Sequence, residues 1–215
     1  MKRVIYIAAV LGLSVACHPK KHGPFVISGT IENAPGKKIQ LIEVPFTSPQ
    51  AVVLDSAELK DKGEFTLKGR ANEEGIYRLA IENGPDVILI NDNNNIHVNM
   101  DVNDYRNYKV ENSPASQSLH ELFENYRKDD STLYQTFKQL DSLQATPGND
   151  SLVTILKAKR DNELATTNNL IKDFVSQSTS PAAIFYALGL GSRTMKQEEL
   201  KALADASAKR FPDQR

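Results

Sequence analysis

Apolar residues recur with two different periods along the chain, and the change falls near residue 113. Upstream of it, short apolar runs alternate with polar positions. Residues 25–31 are β-branched and apolar, and Asn33, Ala34, Pro35 and Gly36 close them with turn residues. Residues 38–44 alternate, with Ile39 and Leu41 on one face and Gln40, Ile42 and Val44 on the other. Residues 51–59 lead into Lys60, Asp61, Lys62 and Gly63, a tight hairpin signal. Phe65 and Leu67 then alternate inward through residues 64–68. Further runs follow at residues 76–81, 87–90 and 96–102, separated by Asn83, Gly84 and Pro85 and then by an Asp/Asn turn. Residues 108–110 are a candidate edge strand. Strands of this length, spaced by about ten residues with no helical pattern between them, predict an antiparallel β-sandwich or flattened barrel. Parallel βαβ architecture is disfavoured for the same reason.

Downstream the period becomes helical. Ser113 and Pro114 offer a cap donor and a proline at the first helical position. Leu119, Leu122, Phe123, Tyr126, Leu133, Phe137, Leu140 and Leu143 then recur at three- and four-residue steps. Asp129 and Asp130 interrupt that stripe as a candidate bend. A loop at residues 146–149 precedes a second helix, capped by Asn149 or Asp150, whose middle (157–167) is mostly polar and expected to be exposed. Ser180 and Pro181 open a short third helix that Gly189 and Gly191 end. Thr194 with Gln197 has capping-box spacing for a last helix from Met195 to about Arg210. The expected fold class is α+β: a β-sandwich or flattened barrel over 25–112, followed by a helical hairpin or bundle over 113–215.

The first residues carry a different signal. Lys2 and Arg3 precede an apolar stretch from Val4 to Leu13, too short to span a bilayer as a mature helix, and Ser14 and Ala16 then lead to Cys17. Cys17 is the only cysteine in the sequence. The pattern resembles the lipobox of a bacterial lipoprotein signal peptide, in which the cysteine is lipidated and becomes the new N-terminus. The lipobox is imperfect, because Leu13 lies one place earlier than the usual leucine. On this reading residues 1–16 are a signal peptide, Cys17 is the lipidation site, and residues 17–24 are an extended tether. Lys20 and Lys21, with no acidic cluster beside them, favour a cell-envelope, periplasm-facing location.

Composition narrows the function classes. The 199 residues left after that cut carry 24 basic and 27 acidic side chains, so no basic excess points to nucleic acid. A lone lipidated cysteine leaves no thiol to pair, so stability must come from the apolar core. No Gly-x-Ser-x-Gly elbow is present, and Gly189, Gly191 and Ser192 read as a helix end. Of the four histidines, only His18 and His22 are spaced i, i+4, and they flank Pro19 in the tether. His97 reads as a half-buried or surface histidine and His120 as a solvated one. Asp92, Asn93, Asn94 and Asn95 invite a calcium reading but lack EF-hand order, and they also suit a turn. The carboxylate pairs Glu73–Glu74, Asp129–Asp130 and Glu198–Glu199 read as solvated faces. No catalytic residue, cofactor or metal ligand is therefore assigned.

Several stretches together resemble a known family. Residues 25–33, 38–42, Asp55–Ser56, Gly63 to Phe65, and Tyr77 to Leu79 resemble the uncharacterised N-terminal domain of TlpA/ResA-like thiol–disulfide interchange lipoproteins. Ser180–Pro181 and Arg210 to Pro212 resemble the helical segment that leads into the thioredoxin-like module of that family. The likeness covers roughly residues 25–212. It implies a membrane-anchored, non-catalytic module that positions a protein partner or binds client polypeptide. The family's redox chemistry resides in a Cys-x-x-Cys that this chain lacks. Two alternatives stand beside this reading. The full gene product is a thiol–disulfide oxidoreductase with a module beyond residue 215, or the chain is a ligand- or glycan-binding lipoprotein. A sugar-binding sandwich usually presents Trp or Tyr platforms, and the chain has no Trp.

Overall fold

The computed structural model describes residues 23–46, 50–145 and 148–212. Eight strands come first: β1 (Gly23–Glu32), β2 (Lys38–Val44), β3 (Val52–Glu58), β4 (Glu64–Ala71), β5 (Ile76–Ile81), β6 (Asp86–Ile90), β7 (Asn95–Asp101) and β8 (Lys109–Glu111). A 3-10 turn (Val102–Asn107) separates the last two. Four helices follow: α1 (Pro114–Gln144), α2 (Asp150–Gln177), α3 (Pro181–Gly191) and α4 (Gln197–Arg210). The fold is α+β, with two open four-stranded sheets ordered β4-β1-β7-β8 and β3-β2-β5-β6.

The sheets face each other across a core of alternating inward residues, including Ile27, Ile31, Ile39, Leu41, Leu67, Leu79, Leu89, Ile96 and Val98. The sheets do not close into a barrel. Strands β3 and β4 meet at one side of the sandwich, where a side chain spans them. Asp55 on β3 accepts a hydrogen bond from the Lys68 backbone N–H on β4 at 2.8 Å. That carboxylate occupies a donor that an edge strand would otherwise expose for pairing.

One pairing departs from the antiparallel expectation. β1 runs parallel to β7, with Ile27 opposite Ile96 and Gly29 opposite Val98. The intervening strands form the other sheet and β4, so they carry the chain back without a crossover helix between β1 and β7. Gly29 makes this approach possible: a Cβ there would lie 1.8 Å from the Val98 carbonyl oxygen.

The second sheet is apolar on both faces at one end. Ile76 and Ile90 point away from the sandwich core and pack with Leu119, Leu122, Ile171, Val175, Ala183 and Ile184 of the helices. Runs such as residues 87–90 are therefore nearly continuous in apolar character, because helices cover their outer face.

Of the expected α1 stripe, Leu119, Leu122, Tyr126, Leu133 and Leu140 are buried, Phe123 and Leu143 are half-buried, and Phe137 is exposed. The bend anticipated at Asp129 and Asp130 is absent, since α1 runs unbroken through both. The apolar step from Tyr126 to Leu133 spans two helical turns, so the buried face continues beneath the two acids. The expected start of α4 is also corrected. The helix begins at Gln197 without a side-chain cap, while the Thr194 hydroxyl hydrogen-bonds to Asn168 Oδ1 on α2 at 2.6 Å. At the end of α3 the Ser192 hydroxyl donates to the Gly189 carbonyl at 2.7 Å, the helix-end role expected of that Gly/Ser run. Among the described residues no helix is long and apolar enough to cross a membrane.

Candidate functional site

Cys17, the one site residue assigned from sequence, lies outside the described residues, as do His18 and His22. Two clusters of polar side chains stand at the starts of α1 and α3.

The first centre is the start of α1. Ser113 stands at the cap and Pro114 opens the helix. The Ser113 hydroxyl accepts from the Ser116 backbone N–H at 3.2 Å and lies 2.5 Å from Asp92 Oδ1. Asp92 Oδ2 accepts from the Ala115 N–H at 2.8 Å. Ser116 in turn receives the Ile90 N–H at 2.8 Å. The carboxylate considered for calcium is thus engaged at a helix N-terminus, where partial positive charge favours it. The segment between β6 and β7 joins the two sheets and is not a hairpin turn, and Asp92 serves there as a partner of the α1 cap.

The second centre overturns an expectation. Glu74 is buried, 1% exposed, rather than part of a solvated pair with the exposed Glu73. Its Oε1 accepts from the Ser180 hydroxyl at 2.5 Å and from the Ala182 N–H at 3.3 Å, at the start of α3. Ser180 itself accepts from the Ala183 N–H at 3.0 Å. The neighbouring Asn91 side chain holds the loop that delivers Glu74, accepting from the Gly75 N–H at 2.7 Å and donating to the Glu73 carbonyl at 3.2 Å. Nothing local signals this burial, because the partner lies 106 residues away.

A cleft of about 490 Å³ opens between these two helix starts, lined by Glu74, Asp92, Pro114, Ser118, Phe174 and Ser180 among others. In both centres the serine hydroxyl donates to a carboxylate and accepts from a helix N–H. Neither hydroxyl faces a histidine that would take its proton, so the geometry is that of paired helix caps.

The remaining histidines are placed as follows. His97 on β7 is half-buried, with Nδ1 3.5 Å from the Ser28 hydroxyl. His120 on α1 is half-buried rather than fully solvated. Its ring packs on Tyr108 with centroids 4.0 Å apart. Burial holds its pKa below the usual histidine value, against Glu124 and Glu121, which raise it, and with Arg127, which lowers it. Burial also pushes the Tyr108 hydroxyl well above the usual tyrosine range, with Glu124 adding to the rise. The spacing of Tyr108 and His120 along the sequence carries no hint of this stacking. Among the described residues no group of three or more His, Cys, Asp or Glu side chains is arranged to hold a metal ion.

Residues 25–119 match the family model of a domain of unknown function, DUF4369. The matched segment takes in β1 from Phe25 onward, β2 to β8, and the start of α1. That extent fits the caps: Asp92, Ser113 and Ser116 tie the start of α1 to β6, so the sandwich and this helix start form one packed unit. No curated protein matches the chain.

Proposed function

We propose that this chain is a non-catalytic, lipid-anchored module of the cell envelope that positions a protein partner. In this reading it is the N-terminal part of a thiol–disulfide interchange protein, and the partner is the thioredoxin-like module of that same protein. The observation that carries the positioning role is the outer half of the α1–α2 hairpin. Tyr134, Phe137, Leu152 and Ile155 there are 61%, 41%, 52% and 61% exposed. Exposed aromatic and aliphatic side chains at neighbouring turns of two paired helices are what a docking face requires. The resemblance of residues 25–212 to the front segment of such lipoproteins supplies the identity of the partner. The lone cysteine supports a non-catalytic role for the chain itself, because exchange between a dithiol and a disulfide needs a resolving thiol.

The anchor is tested by expressing the chain in a Gram-negative host with labelled palmitate. Label should enter the wild-type chain and be absent from Cys17→Ser, which should also leave the membrane fraction. Equal labelling of both would end the lipoprotein reading. Reading the coding frame past codon 215 tests the partner: a downstream Cys-x-x-Cys module supports it, and a stop codon there removes it. Disulfide reduction by the purified chain would refute the non-catalytic role.

A further inference from the structure

The end of the sandwich where β1 begins exposes apolar side chains. Gly23 there lies opposite Ala71, at the close of β4. The same end carries the close of β2 and the starts of β3 and β5, since Glu43 pairs with Val52 and Val44 with Ile76. Val44 and Phe46 follow from β2, Val52 and Val53 open β3, and Phe185 projects from α3, each between 36% and 51% exposed. They adjoin one another. The Phe46 and Phe185 rings lie 4.2 Å apart, and Val53, opposite Ile42, is the diagonal neighbour of Val44.

No charge guards this edge. Residues 44–54 contain no Asp, Glu, Lys or Arg. The later part of β3 differs, because Asp55 accepts from the Ser56 and Lys68 backbone N–H groups and covers those donors. A strand edge that presents apolar side chains without charge is a contact surface. Charges of both signs border it. Glu43 and Glu73 line the groove beside Phe46, and Arg70 stands opposite Pro24 next to the Gly23–Ala71 pair. Lys20 and Lys21 shortly precede β1 in sequence. Glu74 and Asp92, at the same end, are engaged in the caps of α3 and α1.

The chain that enters this end decides what covers it. Residues 17–22 lead into Gly23, and fully extended they reach about 20 Å. A lipid on Cys17 therefore keeps the start of β1 within that distance of the bilayer. We propose that this apolar end rests on the bilayer surface, with Phe46, Phe185 and the three valines among the lipid headgroups. The mixed charges at its border suit zwitterionic headgroups, whose ammonium faces Glu43 and Glu73 and whose phosphate faces Arg70. The seat depends on Cys17 being the anchor. A short tether makes the contact effectively intramolecular, so a patch too small to hold a free protein on a membrane suffices. The chain is thereby oriented on the membrane as well as attached to it.

The chain from Cys17 onward, which holds every described residue, is coupled through that sole thiol to a maleimide phospholipid. The carrier is a nanodisc of phosphatidylethanolamine and phosphatidylcholine with a spin-labelled lipid, which broadens the NMR signals nearest the bilayer. Broadening should be strongest at Val44, Val52 and Val53, and weak at the opposite turns, 33–37 and 59–63. Phe185→Ser and Val53→Glu change exposed positions on separate elements. Each should reduce the broadening at Val44 about three-fold or more, with the urea midpoint little changed. Even broadening over the whole surface, broadening centred on those turns, or a pattern that both variants leave intact overturns the proposal. So does a dimer of the untethered chain that either variant dissociates, which assigns the patch to a second copy. Because this tether is chemical, failed palmitate labelling at Cys17 removes the anchor reading without altering these outcomes, and the two readings fail separately.

Discussion

Replacing Glu74 with alanine tests the tie between the sandwich and the helices. Glu74 is delivered by the turn before β5 and accepts two hydrogen bonds at the start of α3, from the Ser180 hydroxyl and the Ala182 N–H. Alanine removes the acceptor for both donors. Hydrogen bonds to a charged group are worth about 1.5 kcal/mol or more each, and the charge at the N-terminus of the 11-residue α3 adds about 0.5 kcal/mol. The desolvation that the buried carboxylate no longer suffers returns part of this. The expected net loss is roughly 3 kcal/mol, which for a chain of this size lowers Tm by roughly 6–12 °C. Urea unfolding followed by circular dichroism gives the free energy directly. Glu74→Gln keeps an oxygen acceptor without the charge and should lose about half as much. Ser180→Ala, which removes the cap hydroxyl alone, should cost about 1 kcal/mol. If Glu74→Ala shifts stability by less than about 0.5 kcal/mol, the carboxylate does not hold α3 and the reasoning fails.

Other substitutions probe separate links. Asp92→Ala should cost about 1–2 kcal/mol and speed amide exchange at Ala115 and Ser116, whereas protected amides there would show that α1 is capped without it. Gly29→Ala places a Cβ 1.8 Å from the Val98 carbonyl at a φ of +152°, so it should cost at least about 3 kcal/mol or abolish folding. An unchanged urea midpoint would contradict the parallel β1–β7 pairing. His120 titrates lower in the folded chain than its ordinary value of 6.5, chiefly through burial, with Glu124, Arg127 and Glu121 modulating it. The unfolded chain therefore binds the extra proton first, so stability is full above about pH 6.5 and declines as pH falls toward the folded pKa. His120→Phe keeps a ring on Tyr108 and should flatten that slope in urea midpoints measured between about pH 5 and 8. An identical slope in the variant would remove His120 as its cause.

The order of elements follows from local chemistry, which is why it was readable without a structure. Alternation with period two places Phe65, Leu67, Ile39 and Leu41 on inward faces, and the observed strands bury all four. Ser-Pro pairs at 113–114 and 180–181 cap and open α1 and α3 because the cap hydroxyl and the missing proline N–H act within one turn.

Contacts between distant segments were decided only by the tertiary structure. Glu74 reads as half of an exposed acidic pair until α3 arrives over it from 106 residues away and closes it from water. The parallel β1–β7 pairing joins strands separated in sequence by the whole of the other sheet, and only the lack of a Cβ at Gly29 hints at it. His120 occupies an ordinary polar position of α1 until Tyr108 packs on its ring and removes part of its solvent. Period and capping are set by neighbours along the chain, and so they are written in sequence. Burial of a charge depends on which surface closes over it, and only the packed chain determines that.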